Sequence, residues 1–252
     1  MGLFFFSRKK VLTTPLISCL CVTRNRVPLL RRSVRCFQRQ TYAERELLIL
    51  CEDDDAATCS YVETELRGDS RIRFITVDAK QNLRLGALRN RIVAEARGEL
   101  VCQWDDDDWS RSDRIARQKA HLDYTGKPAC VLGRWIIFHV AKQQAYWSQW
   151  RTWEGSLLAQ KAVLTPFPTL TRGEDTPMVD GLRARRVLTL LNDPELYVYT
   201  YHGRNTWDDQ HFNMLLKNKK RVPPALEQQI ICNLAEDGKV APSVETPLRR
   251  AA

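Results

Sequence analysis

Four short apolar runs, at residues 16–22, 47–51, 74–77 and 99–104, alternate with stretches of helical periodicity. That alternation restricts the fold more than any other feature of the chain. The first run is nearly continuous in apolar side chains, the mark of a strand buried on both faces. Residues 28–38 are amphipathic: Leu30, Val34 and Phe37 mark one face, Arg31, Arg35 and Arg39 another, and Pro28 sits in the first turn. Further helices are expected over 56–66, stopped by Gly68, and over 85–96, stopped by Gly98. Strands and helices at this spacing predict right-handed βαβ units, an α/β fold with a mostly parallel sheet and helices on both faces.

The second half is less regular. Strands are expected over 129–139 and 143–149, as a candidate hairpin, and over 197–201. Helices are expected over 113–122, from Gly173 to about residue 186, and over 207–217, while Pro166-Phe167-Pro168 breaks the chain. Asp208 and Asp209 complement the positive end of the last of these helices, and Asn205 and Thr206 are placed to cap it.

The fourth strand ends in Asp105-Asp106-Asp107-Asp108, followed by Trp109. Carboxylates this close repel and raise one another's pKa unless something neutralises them. A divalent cation is the simplest neutraliser, and hard oxygen ligands suit magnesium, manganese or calcium. The competing view, a solvated acidic loop, is the ordinary fate of acidic runs. An EF-hand is excluded, because its sixth and twelfth places, Gly and Glu, hold Ser110 and Ala116 here. In open α/β sheets ligands bind beyond the carboxyl ends of the strands. Three loops follow strands and share that edge: Thr23-Arg24-Asn25-Arg26, Glu52-Asp53-Asp54-Asp55 and the four aspartates. With no GxGxxG or GxxxxGK[ST] loop present, phosphates would be handled by metal and arginine.

Composition narrows the class. The chain has 252 residues and a formal net charge of +9, which favours anionic partners. No zinc-finger, RRM or KH signature accompanies the charge, so no nucleic-acid partner is expected. The eight cysteines make no CxxC pair, and Cys19, Cys51 and Cys102 fall in expected strands, which fits a reducing cytoplasm without disulfides. No apolar run approaches the ~20 residues of a spanning helix. Leu3-Phe4-Phe5-Phe6 with Arg8-Lys9-Lys10 is either a frayed terminus or a weak peripheral contact with an anionic membrane, at its inner face.

In order and spacing, five pieces resemble glycosyltransferase family 2, of the GT-A fold. They are the segment 18–26, Leu88-Arg89-Asn90-Arg91, Ala96-Arg97-Gly98-Glu99, the segment 104–109 and Gly173-Glu174-Asp175. Together they span roughly residues 15–215. The resemblance implies a metal-dependent, inverting transfer of a sugar from a UDP- or GDP-linked donor to a hydroxyl of a glycan or lipid-linked acceptor. Mn2+ or Mg2+ is the implied cofactor, and bacterial surface polysaccharide or glycolipid the implied product.

The resemblance also assigns residues. Asp105 lies by the donor ribose and Asp107 on the metal, with Asp106 or Asp108 sharing the work if the register shifts by one. Alternate residues of an extended segment do point the same way. Thr23, Asn25, Arg26, Glu52, Asp53, Arg89 and Asp106 would line the donor pocket. Asp175, with Glu174 as neighbour, would be the catalytic base; the alternative is a helix N-cap before Pro177. His202 is either a metal ligand beside Asp105 and Asp107 or a structural histidine. His121, His139 and His211 receive no role. Trp150, Trp153 and Glu154 fall in the acceptor region, with core packing the favoured role of the tryptophans. The implied organisation is a flexible segment 1–14, one domain over 15–235 with a donor half (15–110) and an acceptor half (111–235), and a flexible tail 236–252. The rival functions are a sugar-phosphate nucleotidyltransferase, which would normally carry glycine after the first strand, and a non-catalytic nucleotide-sugar or glycan-binding relative.

Overall fold

The computed structural model describes residues 14–238, so the expectations for the N-terminal segment and most of the C-terminal tail lie outside the described residues. The first half is the expected alternation: β1 (Ile17–Val22), α1 (Val27–Gln38), β2 (Arg45–Glu52), α2 (Ala56–Tyr61), β3 (Ile72–Val77), α3 (Leu85–Glu95) and β4 (Leu100–Gln103). Strands β1 to β4 pair in parallel, in the order β4-β1-β2-β3. The period of two along β1 sorts its side chains. Cys19 and Cys21 join Leu30, Val34 and Phe37 of α1 on one face, while Leu20 joins Leu88 and Ile92 of α3 on the other. Helices therefore cover both faces. Helix α2 continues into a π-helical turn, Val62–Leu66, so the stretch read as one α-helix changes its hydrogen-bond register midway.

The second half contributes β5 (Trp109–Ser110), α4 (Arg114–Thr125), β6 (Ala129–Leu132), β7 (Ile136–His139), β8 (Gln144–Trp147), β9 (Trp153–Gln160), α5 (Asp175–Ala184), β10 (Leu188–Leu191), β11 (Tyr197–Tyr201), α6 (Asp209–Leu216) and α7 (Pro224–Gly238). Strand β9 inserts antiparallel between β4 and β6, giving a seven-stranded sheet ordered β10-β6-β9-β4-β1-β2-β3. A second sheet, β5-β11-β7-β8, stands beside it.

Three expectations are corrected. The apolar stretch 129–139 is two strands: it breaks at Gly133-Arg134-Trp135, so that β6 stays in the large sheet and β7 crosses to the small one, where it pairs with β8. Strands β9 and β10 and helix α7, none of them expected, are present, and α7 runs past residue 236, where the tail was expected to begin. Asn205 and Thr206 do not cap α6. Asp208 does, its carboxylate accepting from the His211 N–H at 3.0 Å.

Candidate active site

The order β4-β1-β2 places a topological switch at the carboxyl end of β1, where loops leave in opposite directions and a crevice opens. The three polar loops meet there. Thr23 Oγ1 donates to Asp106 Oδ2 at 2.6 Å. Arg24 reaches across to Glu52 and, at 2.8 Å, to Asp54. The Asn25 N–H donates to Asp55 Oδ2 at 2.6 Å, with Asn25 itself in the left-handed region at φ 53°. Asp55 is fully buried and also caps α2 by accepting from the Thr58 N–H. Asp53 accepts from the Ala79 N–H at 2.9 Å.

The four aspartates are held from below by their own backbone. Ser33 of α1 donates to the Asp105 carbonyl, and Arg32 and Thr200 both donate to the Asp107 carbonyl. With the carbonyls committed to α1 and β11, each carboxylate takes a separate job. Asp108 accepts from Tyr197 Oη at 2.5 Å and from the Thr200 N–H at 2.9 Å, and so joins the loop to β11. Asp105 accepts from Arg89 Nη2 at 3.1 Å. Asp106 faces Thr23 and Arg26. Asp107 Oδ2 lies 3.1 Å from Arg26 Nη1 and 3.1 Å from His202 Nε2.

Electrostatics separates them further. Burial, then the neighbouring Asp107, pushes the Asp106 carboxyl up to about 7, against the pull of Arg26 and Thr23. Burial also raises Asp105, partly offset by Arg89. For Asp107 burial works upward too, yet His202 and Arg26 outweigh it and hold the group below the usual carboxylate range.

Glu174 and Asp175 arrive from the other side of the cleft. Arg89, on α3, donates through Nε to Glu174 at 2.5 Å and through Nη2 to Asp105, tying the two walls together. Gly173, at φ 67°, makes the left-handed turn that presents them. Glu174 occupies the N-cap position of α5 without a side-chain capping bond, and Asp175 is already the first helical residue. Asp175 is therefore no N-cap. Its carboxyl is pushed up to about 6, by burial first and the nearby Glu174 second, with Arg89 opposing. Trp153 stacks on Trp135 at 4.4 Å and packs against Tyr199, so its ring is part of the aromatic core. Trp150 is not: it is 55% exposed, and the expectation of core packing fails for it.

Of the three residues expected at the metal, Asp105 faces Arg89 while Asp107 and His202 face each other. Asp105 is bound to Arg89, and among the described residues no three His, Cys, Asp or Glu side chains are grouped to hold a metal ion. Asp107 and His202 are a pair. Magnesium is commonly held by one or two carboxylates with substrate phosphates completing the shell, and Asp107 supplies one such carboxylate, with the His202 ring beside it. Reading the sequence placed Arg24 in its polar loop without a partner, and missed Arg32 and the Asp108–Tyr197 bond. Nothing in the local sequence marks the partners, because each bond reaches across 28 or more positions.

Residues 18–173, more than half of the chain, match the sequence profile of glycosyl transferase family 2. The chain belongs to glycosyl transferase family 2. Among curated proteins, this family member is 29% identical over 127 residues to the GalNAc(5)-diNAcBac-PP-undecaprenol beta-1,3-glucosyltransferase of Campylobacter jejuni, covering 49% of this chain and 39% of that protein. It is 30% identical over 100 residues to EpsH of Bacillus subtilis, covering 40% of this chain and 28% of EpsH. The match thus spans well under half the length of either relative. Among solved structures, S. aureus TarS 1–349 in complex with UDP-GlcNAc superposes with a TM-score of 0.62 at 15% identity, over 88% of this chain and 72% of that one. The mannosyltransferase PcManGT of Pyrobaculum calidifontis, in complex with GDP-Man and Mn2+, gives 0.59 at 16% identity, over 90% and 74%. At such identities the likeness is one of fold, and this glycosyl transferase family 2 chain has the GT-A fold.

Proposed function

We propose that the chain transfers a sugar, with inversion, from a nucleoside-diphosphate sugar to an acceptor hydroxyl, and that residues 15–235 act as one catalytic unit. The observation that carries this reading is the pairing of two acidic walls through Arg89, Asp105 on one and Glu174-Asp175 on the other. Donor and acceptor would meet between them. Thr23, Asn25, Glu52 and Asp53 stand where the nucleoside would lie, at the ends of β1 and β2, and Arg24 closes over Glu52.

Of the two acids on the far wall, Asp175 is the better base. Both acids line the cleft, but Glu174 is buried and engaged by a guanidinium, whereas Asp175 is half-buried and has its pKa raised to about 6. Asp175 takes the acceptor's hydroxyl proton as that oxygen bonds to the anomeric carbon, and the bond from that carbon to the diphosphate oxygen breaks on the opposite side. Asp107 and His202 would hold a divalent cation, Mn2+ or Mg2+, which when bound supplies positive charge to the departing diphosphate. Arg26 adds a fixed cation at the same end.

The acceptor is proposed to be a glycan or a lipid-linked saccharide, the latter as the name of the Campylobacter jejuni relative suggests, and the product a bacterial surface polysaccharide or glycolipid. No helix among the described residues is long and apolar enough to cross a membrane; peripheral contact at the cytoplasmic face is proposed as the route to a lipid-linked acceptor. The test is a panel of UDP- and GDP-sugars with Mn2+, read by thermal shift and nucleoside diphosphate release. A single donor should stabilise the protein in a metal-dependent way, and Asp107→Ala should abolish that shift. Release of no nucleoside diphosphate from any sugar donor would refute the proposal.

A further inference from the structure

Helix α6 packs Phe212, Leu215 and Leu216 against the aromatic core and carries Met214 and Lys217 on its exposed face. Asn218, in the left-handed region at φ 57°, then turns the chain back along β8. There the Trp147 N–H donates to the Lys220 carbonyl at 3.0 Å, and Tyr146 bridges to Arg221. Lys219 Nζ donates to Gln149 Oε1 at 3.2 Å, which brings its ammonium beside the Trp150 segment. The basic run 217–221 is thus tied to the small sheet. The Trp150 ring is itself fixed: it lies so close to Gly133 that an added Cβ there would be 2.6 Å from it. Four large apolar side chains are exposed among the described residues, and two of them, Trp150 and Met214 (63% exposed), flank this run. Arg221 pairs with Glu227, but Lys217, Lys219 and Lys220 meet no carboxylate among the described residues. The same face borders the cleft, since Trp207 just before α6 and Trp153 at the start of β9 both line it.

We infer that the face formed by Trp150, Met214, Lys217, Lys219 and Lys220 docks on an anionic lipid bilayer and holds the acceptor side of the cleft at the membrane surface. The inference rests on the lipid-linked acceptor proposed above. Exposed lysines are ordinary on a chain of net charge +9. Three that lack a carboxylate partner, held beside an indole and a thioether, combine two attractions that a bilayer meets together. The ammonium groups face the anionic headgroups on long stems, and the two apolar side chains leave water for the boundary with the acyl chains. An indole, apolar with one polar edge, suits that boundary. A soluble anionic polymer would engage the lysines and leave Met214 in water, so the bilayer fits the whole face better. A lipid-linked saccharide carries its hydroxyl near the headgroups, where a cleft held at the surface can receive it.

The experiment is co-sedimentation of the full chain with vesicles of phosphatidylcholine alone and of equimolar phosphatidylcholine and phosphatidylglycerol. The wild type should bind the anionic vesicles, ignore the neutral ones and be released by high salt. Each cation at such a surface is worth about fivefold in affinity, so the combined variant Lys217→Gln, Lys219→Gln and Lys220→Gln should bind on the order of 100-fold more weakly. Trp150→Ala should weaken binding several-fold. A matched loss of charge at the other end of α5, Arg183→Gln, Arg185→Gln and Arg186→Gln, should leave binding as in the wild type. Thermal shift with the accepted nucleotide sugar and Mn2+, measured in parallel, should be the same in the lysine variant and the wild type, which also shows that the variant is folded. Vesicle binding by the lysine variant equal to that of the wild type overturns the inference. So does an equal loss in the α5 variant, which would reduce the effect to net charge. Wild-type protein that binds soluble polyphosphate but no vesicles would assign the face to an anionic polymer and refute the bilayer. In each of these cases an intact donor shift leaves the proposed function standing. Vesicle binding that depends on the lysines, with no nucleoside diphosphate released from any sugar donor, would refute that function and keep the docking face.

Discussion

Asp175 shows how much one side chain's surroundings decide. Its neighbour Glu174 is as acidic in sequence and lines the same cleft, but Arg89 bonds Glu174, which is buried, while Asp175 is half-buried. Asp175→Asn should lower turnover at least ~100-fold while donor binding persists; unchanged turnover would remove it from the base role. Because the base must be ionised, the rate should rise with pH through about 6 and level off above it, as measured by a pH–rate profile. The stability effect has the opposite sign. A carboxyl raised from 3.8 to about 6 binds more protons folded than unfolded across that window, so stability falls as pH climbs through it. Above pH 6 Asp175→Asn should therefore melt higher than the wild type, by on the order of 1 kcal/mol once partial solvation is allowed for, and the gain should vanish below pH 4. The sequence made the acids legible as a group. It did not divide their labour, since Asp105, Asp106, Asp107 and Asp108 are chemically identical and differ only in what the fold sets opposite them.

At the scale of elements, the cleft depends on how α3 grips the segment before α5. Asn90 donates through Nδ2 to the Phe167 carbonyl and accepts through Oδ1 from the Phe167 N–H, both at 2.8 Å. Four residues earlier Gly86 runs so close to this segment that an added Cβ would lie 1.9 Å from the Pro168 carbonyl oxygen. Asn90→Ala strands a donor and an acceptor of the 167–173 segment and should cost about 1–3 kcal/mol. Because that segment leads to Glu174 and Asp175, kcat should fall more than donor affinity, a split that steady-state kinetics and donor titration together would show. The motif at 88–91 could be recognised from sequence, but its action could not, because the partner is 77 residues away. Strand β9 escaped notice for a related reason. Its sequence, with Glu154 and Gly155 near the start, lacks a strong strand pattern, and it becomes a strand because β4 and β6 offer ladders on both sides.

Across the whole molecule, the site stands where two sheets are fastened together. Asp108 bonds Tyr197 and Thr200 of β11, and Arg114, fully buried, lies over the Trp104 and Tyr197 rings at 5.1 and 4.8 Å. Tyr197→Phe leaves a buried carboxylate short of one donor and should cost about 1–3 kcal/mol in urea denaturation. It should also weaken Mn2+-dependent donor binding, since the loop it anchors carries Asp107. Full stability in that variant would show that the sheets are held elsewhere. By itself the sequence determined the alternating first half, the sheet edge where the acidic loops emerge, and the family, because apolar periodicity and short motifs are local and depend on neighbours a few positions apart. The tertiary structure alone decided that 129–139 divides between two sheets, that Arg89 bridges the acidic walls, and that Arg26 and His202 share one oxygen of Asp107. Those outcomes are contacts between residues 80 or more positions apart in most cases, and no local pattern encodes a partner at that distance.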